Sequence, residues 1–210
     1  MLSHVRRNHL RVSEVLYACD DLTMLNDEKI RIHLIRHLSR MACRPKSILQ
    51  EVRVHHGNAI ADVVSIHENP HCYEIKGSTD NIYRALKQSS FYELTFKKMT
   101  LVTAENYASS ALKLMPAHWG IMIAKIDGDR IKFNHVRSAK SNPYFDKEIA
   151  LHTLWKSELL DSKELKTIRG AKNLNREQLT TLISESLSEG AILKFIADKL
   201  SSRNISPKIL

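Results

Sequence analysis

Three charged residues stand in two short and largely apolar segments, an arrangement that could support metal-assisted chemistry. Glu74 and Lys76 lie two positions apart in His71–Lys76, and Asp62 lies in the preceding segment, Ile60–Ile66. Alternate residues of a strand point to the same face, so Glu74 and Lys76 project together, and Asp62 can reach that face from a partner strand. Two carboxylates suit Mg²⁺ better than zinc, and a lysine beside them can stabilise charge on a phosphate.

The acid-x-lysine triplet also has an ordinary explanation, which is a surface ion pair on a solvent-facing hairpin. The chain contains the triplet four times, at Asp27/Lys29, Glu74/Lys76, Asp161/Lys163 and Glu164/Lys166. Three of these lie in or beside predicted helices, where residues two apart point about 200° away from each other and cannot share a site. Only the Glu74 triplet lies in a predicted strand, where an acid among apolar neighbours costs free energy. Taken alone, the triplet still favours the surface ion pair.

Hydrophobic spacing predicts the elements that carry these residues. Apolar residues recur at helical spacing through Asn26–Met41, and the two charged segments form an antiparallel hairpin closed by His67–Pro70. A helix capped by Ser78 or Thr79 follows and runs to about Phe96. Beyond it the patterns predict a strand, a helix and two strands joined by an Asp-Gly turn, at Met99–Thr103, Glu105–Leu114, Trp119–Ile126 and Arg130–Val136. This order predicts an α/β fold with a mixed β-sheet flanked by helices.

With these elements in place, the order of the polar residues resembles the PD-(D/E)XK nuclease superfamily. Glu51 precedes the hairpin, Asp62 and the Glu74-x-Lys76 triplet lie within it, and a Gln-x-x-x-Tyr element typical of the RecB-like branch follows at Gln88. The sequence resembles one group within that superfamily more closely than the superfamily as a whole, namely small, largely uncharacterised bacterial and phage proteins. That similarity is carried by Tyr73–Lys76, Asp80, Gln88, Thr100–Val102 and Pro116–Ile121. It covers roughly Leu25 to Lys125, and Ala61 stands where the superfamily's name puts proline.

The resemblance implies a metal-dependent deoxyribonuclease that uses Mg²⁺, with Mn²⁺ able to substitute, to hydrolyse phosphodiester bonds of DNA. Asp62 and Glu74 would bind the metal, with Glu51 as an extra acid at the same site. Lys76 would be the catalytic lysine, and Gln88 would support the catalytic site. Contacts to the substrate are expected from Tyr92, Arg84, Arg169 and Lys172.

The chain is predicted to have two parts. Residues 1–142 would form a restriction-endonuclease-like core, and residues 143–210 a small C-terminal helical appendage that follows polar Ser138–Pro143. Helices are predicted in the appendage at Lys147–Leu160, Glu177–Ser188 and Ala191–Leu200. This part resembles SAP-like modules, which bind DNA, and its basic loop residues are Lys166, Arg169, Lys172 and Arg176. A packing appendage with a solvated basic face explains the same pattern equally well.

The remaining histidines and the tryptophans are interpreted as structural residues. His33 and His37 are four apart on a helix, but Leu34 breaks the H-E-x-x-H pattern of metalloproteases, so both are expected on the helix surface. The histidines near the ends of the hairpin are expected to be exposed turn residues, namely His55, His56, His67 and His71. Trp119 and Trp155 are expected in the core.

Basic residues outnumber acidic residues over the 210-residue chain. Lys and Arg number 32 against 23 Asp and Glu, which gives a formal net charge of +9. A basic surplus suits a polyanionic partner, because each phosphate contact releases counterions, so DNA is the expected partner. Two other classes fit the same pattern: a catalytically silent nucleic-acid-binding or regulatory protein on the nuclease fold, and a protein-interaction adaptor. A homodimer and an unidentified protein partner are also left open.

The sequence favours a cytoplasmic protein without a membrane contact. Its longest apolar stretches, such as Trp119–Ala124, are far shorter than the ~20 residues of a membrane helix. The basic segment Met1–Leu10 has no apolar block behind it, so no secretory signal is predicted. Cys19, Cys43 and Cys72 are odd in number and show no C-x-x-C spacing, which argues against a disulfide framework and favours a reducing compartment.

Overall fold

The computed structural model describes residues 24–128 and 130–203. Two of the predictions above, on the Met1–Leu10 segment and on Cys19, concern residues outside these ranges. Within the described part of the chain, no helix is both long enough and apolar enough to cross a membrane.

A mixed sheet forms the centre of the fold. Its strands are β1 (Ser47–Val54), β2 (Ala59–Ile66), β3 (Pro70–Lys76), β4 (Lys98–Ala104), β5 (Gly120–Asp127) and β6 (Arg130–Arg137). In the described residues these six strands lie side by side in chain order. Strands β1, β2 and β3 are antiparallel, β3, β4 and β5 are parallel, and β6 is antiparallel to β5. The predicted α/β class with a mixed, helix-flanked sheet is confirmed.

Helices cover both faces of this sheet. Helix α1 (Asp27–Ser39) precedes β1, α2 (Ile82–Thr95) connects β3 to β4, and α3 (Ala108–Leu114) connects β4 to β5. After β6 the chain is helical, with α4 (Lys147–Leu151), α5 (Lys156–Leu159), α6 (Lys163–Lys166), α7 (Arg176–Ser186) and α8 (Glu189–Ser202). The connections through α2 and α3 are what allow β3, β4 and β5 to run parallel.

Two hydrophobic clusters, one on each face of the sheet, hold the layers together. Helix α1 buries Ile30, Leu34 and Leu38, spaced four residues apart, against one face. The other cluster joins α2, α3 and the C-terminal helices to the opposite face. It includes Trp119, which immediately precedes β5, and Ile183 of α7. This second cluster contains residues from both sides of the predicted boundary at residue 142, and the division into two domains stays a prediction.

Three helices differ from their predicted extents, and the one predicted at Glu105–Leu114 is α-helical only over Ala108–Leu114. The helix after the hairpin is capped by Asn81, whose side chain accepts a hydrogen bond from the first turn, and not by Ser78 or Thr79. The predicted helix Lys147–Leu160 is broken into α4 and α5. Leu151–Leu154 are all buried, and a helix that turns about 100° per residue cannot bury four consecutive side chains against one surface.

Candidate functional site

Strands β2 and β3 separate partway along their length, and the Asp62 side chain fills the gap. The two strands pair over Val63–Ile66 and Pro70–Tyr73, while β3 remains paired with β4 as far as Lys76. Where the strands have separated, the backbone N–H of Ile75 donates to Asp62 Oδ2 over 2.7 Å. A buried backbone N–H requires an acceptor, so this carboxylate replaces a missing strand-to-strand hydrogen bond.

Arg31 of α1 binds three carboxylates, which come from α1, β1 and β2. Its guanidinium donates to Asp27 Oδ2 over 3.3 Å, to Glu51 Oε1 over 3.0 Å and to Asp62 Oδ1 over 3.3 Å. Glu51 lies where the β1 backbone has a left-handed φ of 53°, which is uncommon for a residue with a side chain. We call these four residues the Arg31 cluster. Within it, one cation is shared among three acids.

Glu74 and Lys76 form a buried pair on the α2 side of the sheet. Lys76 Nζ donates to Glu74 Oε1 over 2.5 Å, and the Glu74 side chain is only 2% exposed. The Tyr92 hydroxyl of α2 contacts the same carboxyl group but donates its proton to Ile60 O over 2.8 Å. Among the described residues Glu74 Oε2 is therefore left without a donor. The pair is internal and is not the solvent-facing ion pair of the ordinary explanation.

Burial raises the pKa of both acids. The pKa of Glu74 rises to about 7, first because burial disfavours its charged form and second because Asp62 adds negative charge nearby, while Lys76 opposes the rise. The pKa of Asp62 is also raised by burial, against the opposing effects of the Ile75 N–H, Lys76 and Arg31. Near neutral pH, Glu74 is therefore divided between its protonated and its ionised form.

The structure gathers only some of the residues predicted from the sequence. Asp62, Glu74, Lys76 and Tyr92 lie together at the separation of β2 and β3, and Glu51 joins them through Arg31. Gln88 lies one turn before Tyr92 on α2, and its buried amide oxygen has no hydrogen-bond partner among the described residues. The three basic residues expected at the substrate are exposed, namely Arg84, Arg169 and Lys172.

Intramolecular cations decide what these acids can bind. Arg31 and Lys76 each place a positive group on a carboxylate, where Mg²⁺ would require free oxygen ligands. In the described ranges, no group of three or more His, Cys, Asp or Glu side chains is arranged to hold a metal ion. Binding of Mg²⁺ or Mn²⁺ at Asp62, Glu74 and Glu51 stays a prediction. In the observed arrangement, Arg31 and Lys76 are hydrogen-bonded to four carboxyl groups of the same chain.

Sequence reasoning missed Arg31 and misplaced two other residues. The signal for Arg31 was Asp27 four positions earlier on the same helix, a spacing that predicts an ion pair. His71 is not an exposed turn residue: it lies in β3, its Nε2 is 2.8 Å from Thr100 Oγ1, and burial lowers its pKa to about 3. Trp155 is not in the core either, because it lies in the break between α4 and α5, as the N-cap of α5, and is 61% exposed.

Two basic surfaces lie near this site, and the second of them is also lined by Glu51. The first, which we call the α1–β6 patch, is a depression of about 480 Å³ lined by His33, Arg36, His37, Arg40, Arg130 and Ile131. The second is a cleft of about 420 Å³ between β1 and the C-terminal helices, which we call the Trp155 cleft. Its basic and aromatic lining consists of Arg53, His56, His152, Trp155, Arg176 and Arg203.

Comparison with known proteins gives one family. The family model described as bacteriophage P4 protein cII matches residues 21–206. Protein cII of Enterobacteria phage P4 is 24% identical to this chain over 181 residues, which cover 86% of this chain and 68% of that protein. Among solved structures, a protein of unknown function from Silicibacter pomeroyi matches with a TM-score of 0.44 at 18% identity, covering 57% of this chain and 75% of the other.

The two matches to protein cII overturn the resemblance to the PD-(D/E)XK nuclease superfamily. The matching family spans most of the chain, whereas the resemblance was carried by single residues and short stretches between Leu25 and Lys125. The expectation of a metal-dependent deoxyribonuclease is therefore wrong, and so is the expectation that the chain is an enzyme of that type. Asp62 and Glu74 have partners within the chain, namely Arg31, the Ile75 N–H and Lys76, and their assignment as site residues stays a prediction.

Proposed function

Because this chain belongs to the bacteriophage P4 protein cII family, we propose that it is a regulatory protein that binds DNA without cutting it. A protein of this kind acts by occupying its target, so it requires a surface for phosphates and no reactive centre. The α1–β6 patch is the observation that carries the proposal.

Two cations of the α1–β6 patch, Arg36 and Arg40, are available to an external anion. Arg36 and Arg40 are four residues apart and exposed, and neither pairs with a carboxylate among the described residues. His33 and His37 lie on the same side of α1, and burial lowers the pKa of each, so both are neutral donors or acceptors at pH 7. A row of arginines on a helix surface is suited to the DNA backbone, where it replaces condensed counterions.

The interior acids support binding in place of catalysis. Asp62 is held by Arg31 and by the Ile75 N–H, and Glu74 is held by Lys76. Both Asp62 oxygens and one Glu74 oxygen are therefore already hydrogen-bonded within the chain, which leaves Glu74 Oε2 as the one oxygen of these two carboxylates without a donor among the described residues.

The proposal is tested by measuring DNA binding across a salt series. A fluorescently labelled duplex is titrated with wild type, with the double variant Arg36→Ala/Arg40→Ala, and with Lys113→Ala/Lys194→Ala as a matched control. Lys113 and Lys194 are exposed on other helices, so the control removes the same charge elsewhere. We expect the arginine variant to bind more weakly and to reduce the slope of log K against log salt by about two, since each phosphate contact contributes about 0.9.

Two results would contradict the proposal. One is an equal loss of affinity in the arginine and lysine variants, which would show that net charge alone determines binding. The other is cleavage of plasmid DNA by purified wild type in the presence of Mg²⁺ or Mn²⁺, with EDTA as the control.

A further inference from the structure

The Trp155 cleft combines features that the α1–β6 patch lacks, beginning with an exposed and rigid aromatic ring. Trp155 is 61% exposed, while the only other tryptophan, Trp119, is fully buried. The guanidinium of Arg203 lies 4.3 Å from the centroid of the Trp155 ring. Arg203 is itself fixed by two hydrogen bonds to the carboxylate of Glu158, at 2.6 and 2.7 Å, and by one to Thr153 O at 3.0 Å. The indole is therefore held in place against a positioned cation.

The floor of the cleft contains polar atoms that lack partners. His152 and Thr153 are only 5% and 4% exposed, yet His152 Nδ1 and Thr153 Oγ1 have no hydrogen-bond partner among the described residues. The same holds for Nε of Arg176, whose terminal nitrogen donates to His152 O. Buried polar atoms are nearly always paired, so these three atoms are hydrogen-bonding capacity at the cleft that no described residue uses.

The charge of the cleft favours an anion. Arg53 is exposed on β1, and its side chain makes no ion pair or hydrogen bond with any other described residue. Glu51 also lines the cleft, but its carboxylate is bound to Arg31. Three arginines, Arg53, Arg176 and Arg203, therefore face one acid within the lining, and positive charge exceeds negative charge there.

We propose that the Trp155 cleft takes one unstacked nucleotide of a single DNA strand, with the base on Trp155 and the phosphate on Arg53 and Arg176. This inference rests on the proposed DNA-binding function and assigns a second, strand-selective site within it. An aromatic ring accepts any base by its face, and neighbouring arginines follow the phosphate backbone. A volume of about 420 Å³ lies within the range of sites for small organic ligands, well above what a lone inorganic anion requires.

Tryptophan fluorescence provides a direct measurement, because Trp119 is buried and Trp155 is exposed. The full chain is titrated with a thymidine decamer, with a duplex of the same length, with thymidine monophosphate and with inorganic phosphate. We expect the decamer to quench the emission, and inorganic phosphate to leave it unchanged. Trp155→Ala should weaken binding of the decamer about 5- to 150-fold, measured by anisotropy of a labelled strand, while the duplex affinity stays unchanged.

Two further variants separate stacking from general effects on the fold. Trp155→Phe keeps a ring in the cleft and should recover part of the lost affinity. Tyr144→Ala removes another exposed aromatic residue, 60% exposed and outside the cleft, and should bind the decamer like wild type. Arg53→Ala should lower the salt slope for the decamer by about one.

The outcomes distinguish this inference from the proposed function. Normal duplex binding with no quenching by the decamer, or equal losses in Trp155→Ala and Tyr144→Ala, would overturn the cleft and leave the α1–β6 patch intact. If wild type does not bind the duplex but its emission is quenched by the decamer, the cleft is supported as a single-strand site and the α1–β6 patch is overturned as a duplex site. If thymidine monophosphate binds as tightly as the decamer, the ligand of the cleft is a free nucleotide and the proposal of a DNA strand is overturned.

Discussion

Replacing Glu74 with glutamine is expected to change how the stability of the fold depends on pH. The pKa of Glu74 is raised from 4.5 to about 7, chiefly by burial. A carboxyl group with a raised folded-state pKa favours the folded state while it is protonated, and stability is lost as pH rises from the unfolded value through the folded one. The amide of Glu74→Gln keeps the shape of the side chain and an acceptor for Lys76, but it cannot ionise.

The size of the effect follows from the difference between the pKa of Glu74 in the unfolded and in the folded chain. A tenfold change in proton affinity corresponds to about 1.4 kcal/mol, and most of the interval from 4.5 to about 7 lies between pH 5 and pH 8. Ionisation of Glu74 should therefore lower the free energy of unfolding of wild type, relative to the variant, by about 2–3 kcal/mol across this range. For a chain of 210 residues this is a difference in Tm of about 5–10 °C.

The assay is urea unfolding of both proteins at several pH values from 5 to 8. Buried histidines change the free energy of unfolding in the opposite direction, since burial lowers the pKa of His71 to about 3 and that of His152 to about 4. Because their charged form is disfavoured in the folded state, they make the free energy of unfolding rise with pH up to about 6.5. Both histidines are present in both proteins, so the difference between the two curves isolates Glu74. Parallel curves would refute the argument that Glu74 is ionised at a cost inside the fold.

Two further substitutions test the packing around the site. Arg31→Ala should lower the free energy of unfolding by about 2 kcal/mol, and millimolar Mg²⁺ should then raise the Tm of the variant but not of wild type, because three acids have lost their cation. A change in the Tm of wild type with Mg²⁺ would contradict this account. Gly77→Ala should destabilise by about 1–3 kcal/mol in urea, since its Cβ would lie 2.8 Å from Leu25 O. Gly190→Ala is the control, since nothing lies near its added Cβ, and it should raise the free energy of unfolding by up to about 1 kcal/mol. If Gly77→Ala and Gly190→Ala change the free energy of unfolding equally, the predicted clash at Gly77 is ruled out.

The hairpin could be predicted from the sequence because its signals are local. β-Branched residues in Ile60–Ile66 and the break at His67–Pro70 predict two strands and a turn, and β2 and β3 are found there. Alternation along a strand placed Glu74 and Lys76 on one face, and the structure has them hydrogen-bonded to each other.

The partners of the acids could not be predicted, because they come from distant parts of the chain. Arg31 lies 20 positions from Glu51 and 31 from Asp62, and no periodicity in the sequence indicates such a contact. The exposure of Trp155 depends in the same way on where the helix ends. Acids with loose spacing fitted a nuclease pattern because residue types do not reveal whether a carboxylate binds a metal, a backbone N–H or an arginine.

The position of Asp62 has a consequence for how energies in this fold add up. One of its oxygens binds Arg31 of the α1 layer, the other binds the Ile75 N–H in the sheet, and its charge raises the pKa of Glu74 on the α2 side. Substitutions in the two helical layers therefore share an intermediary and are not independent. A double-mutant cycle between Arg31 and Glu74 would measure a coupling energy that belongs to neither residue but to the carboxylate between them.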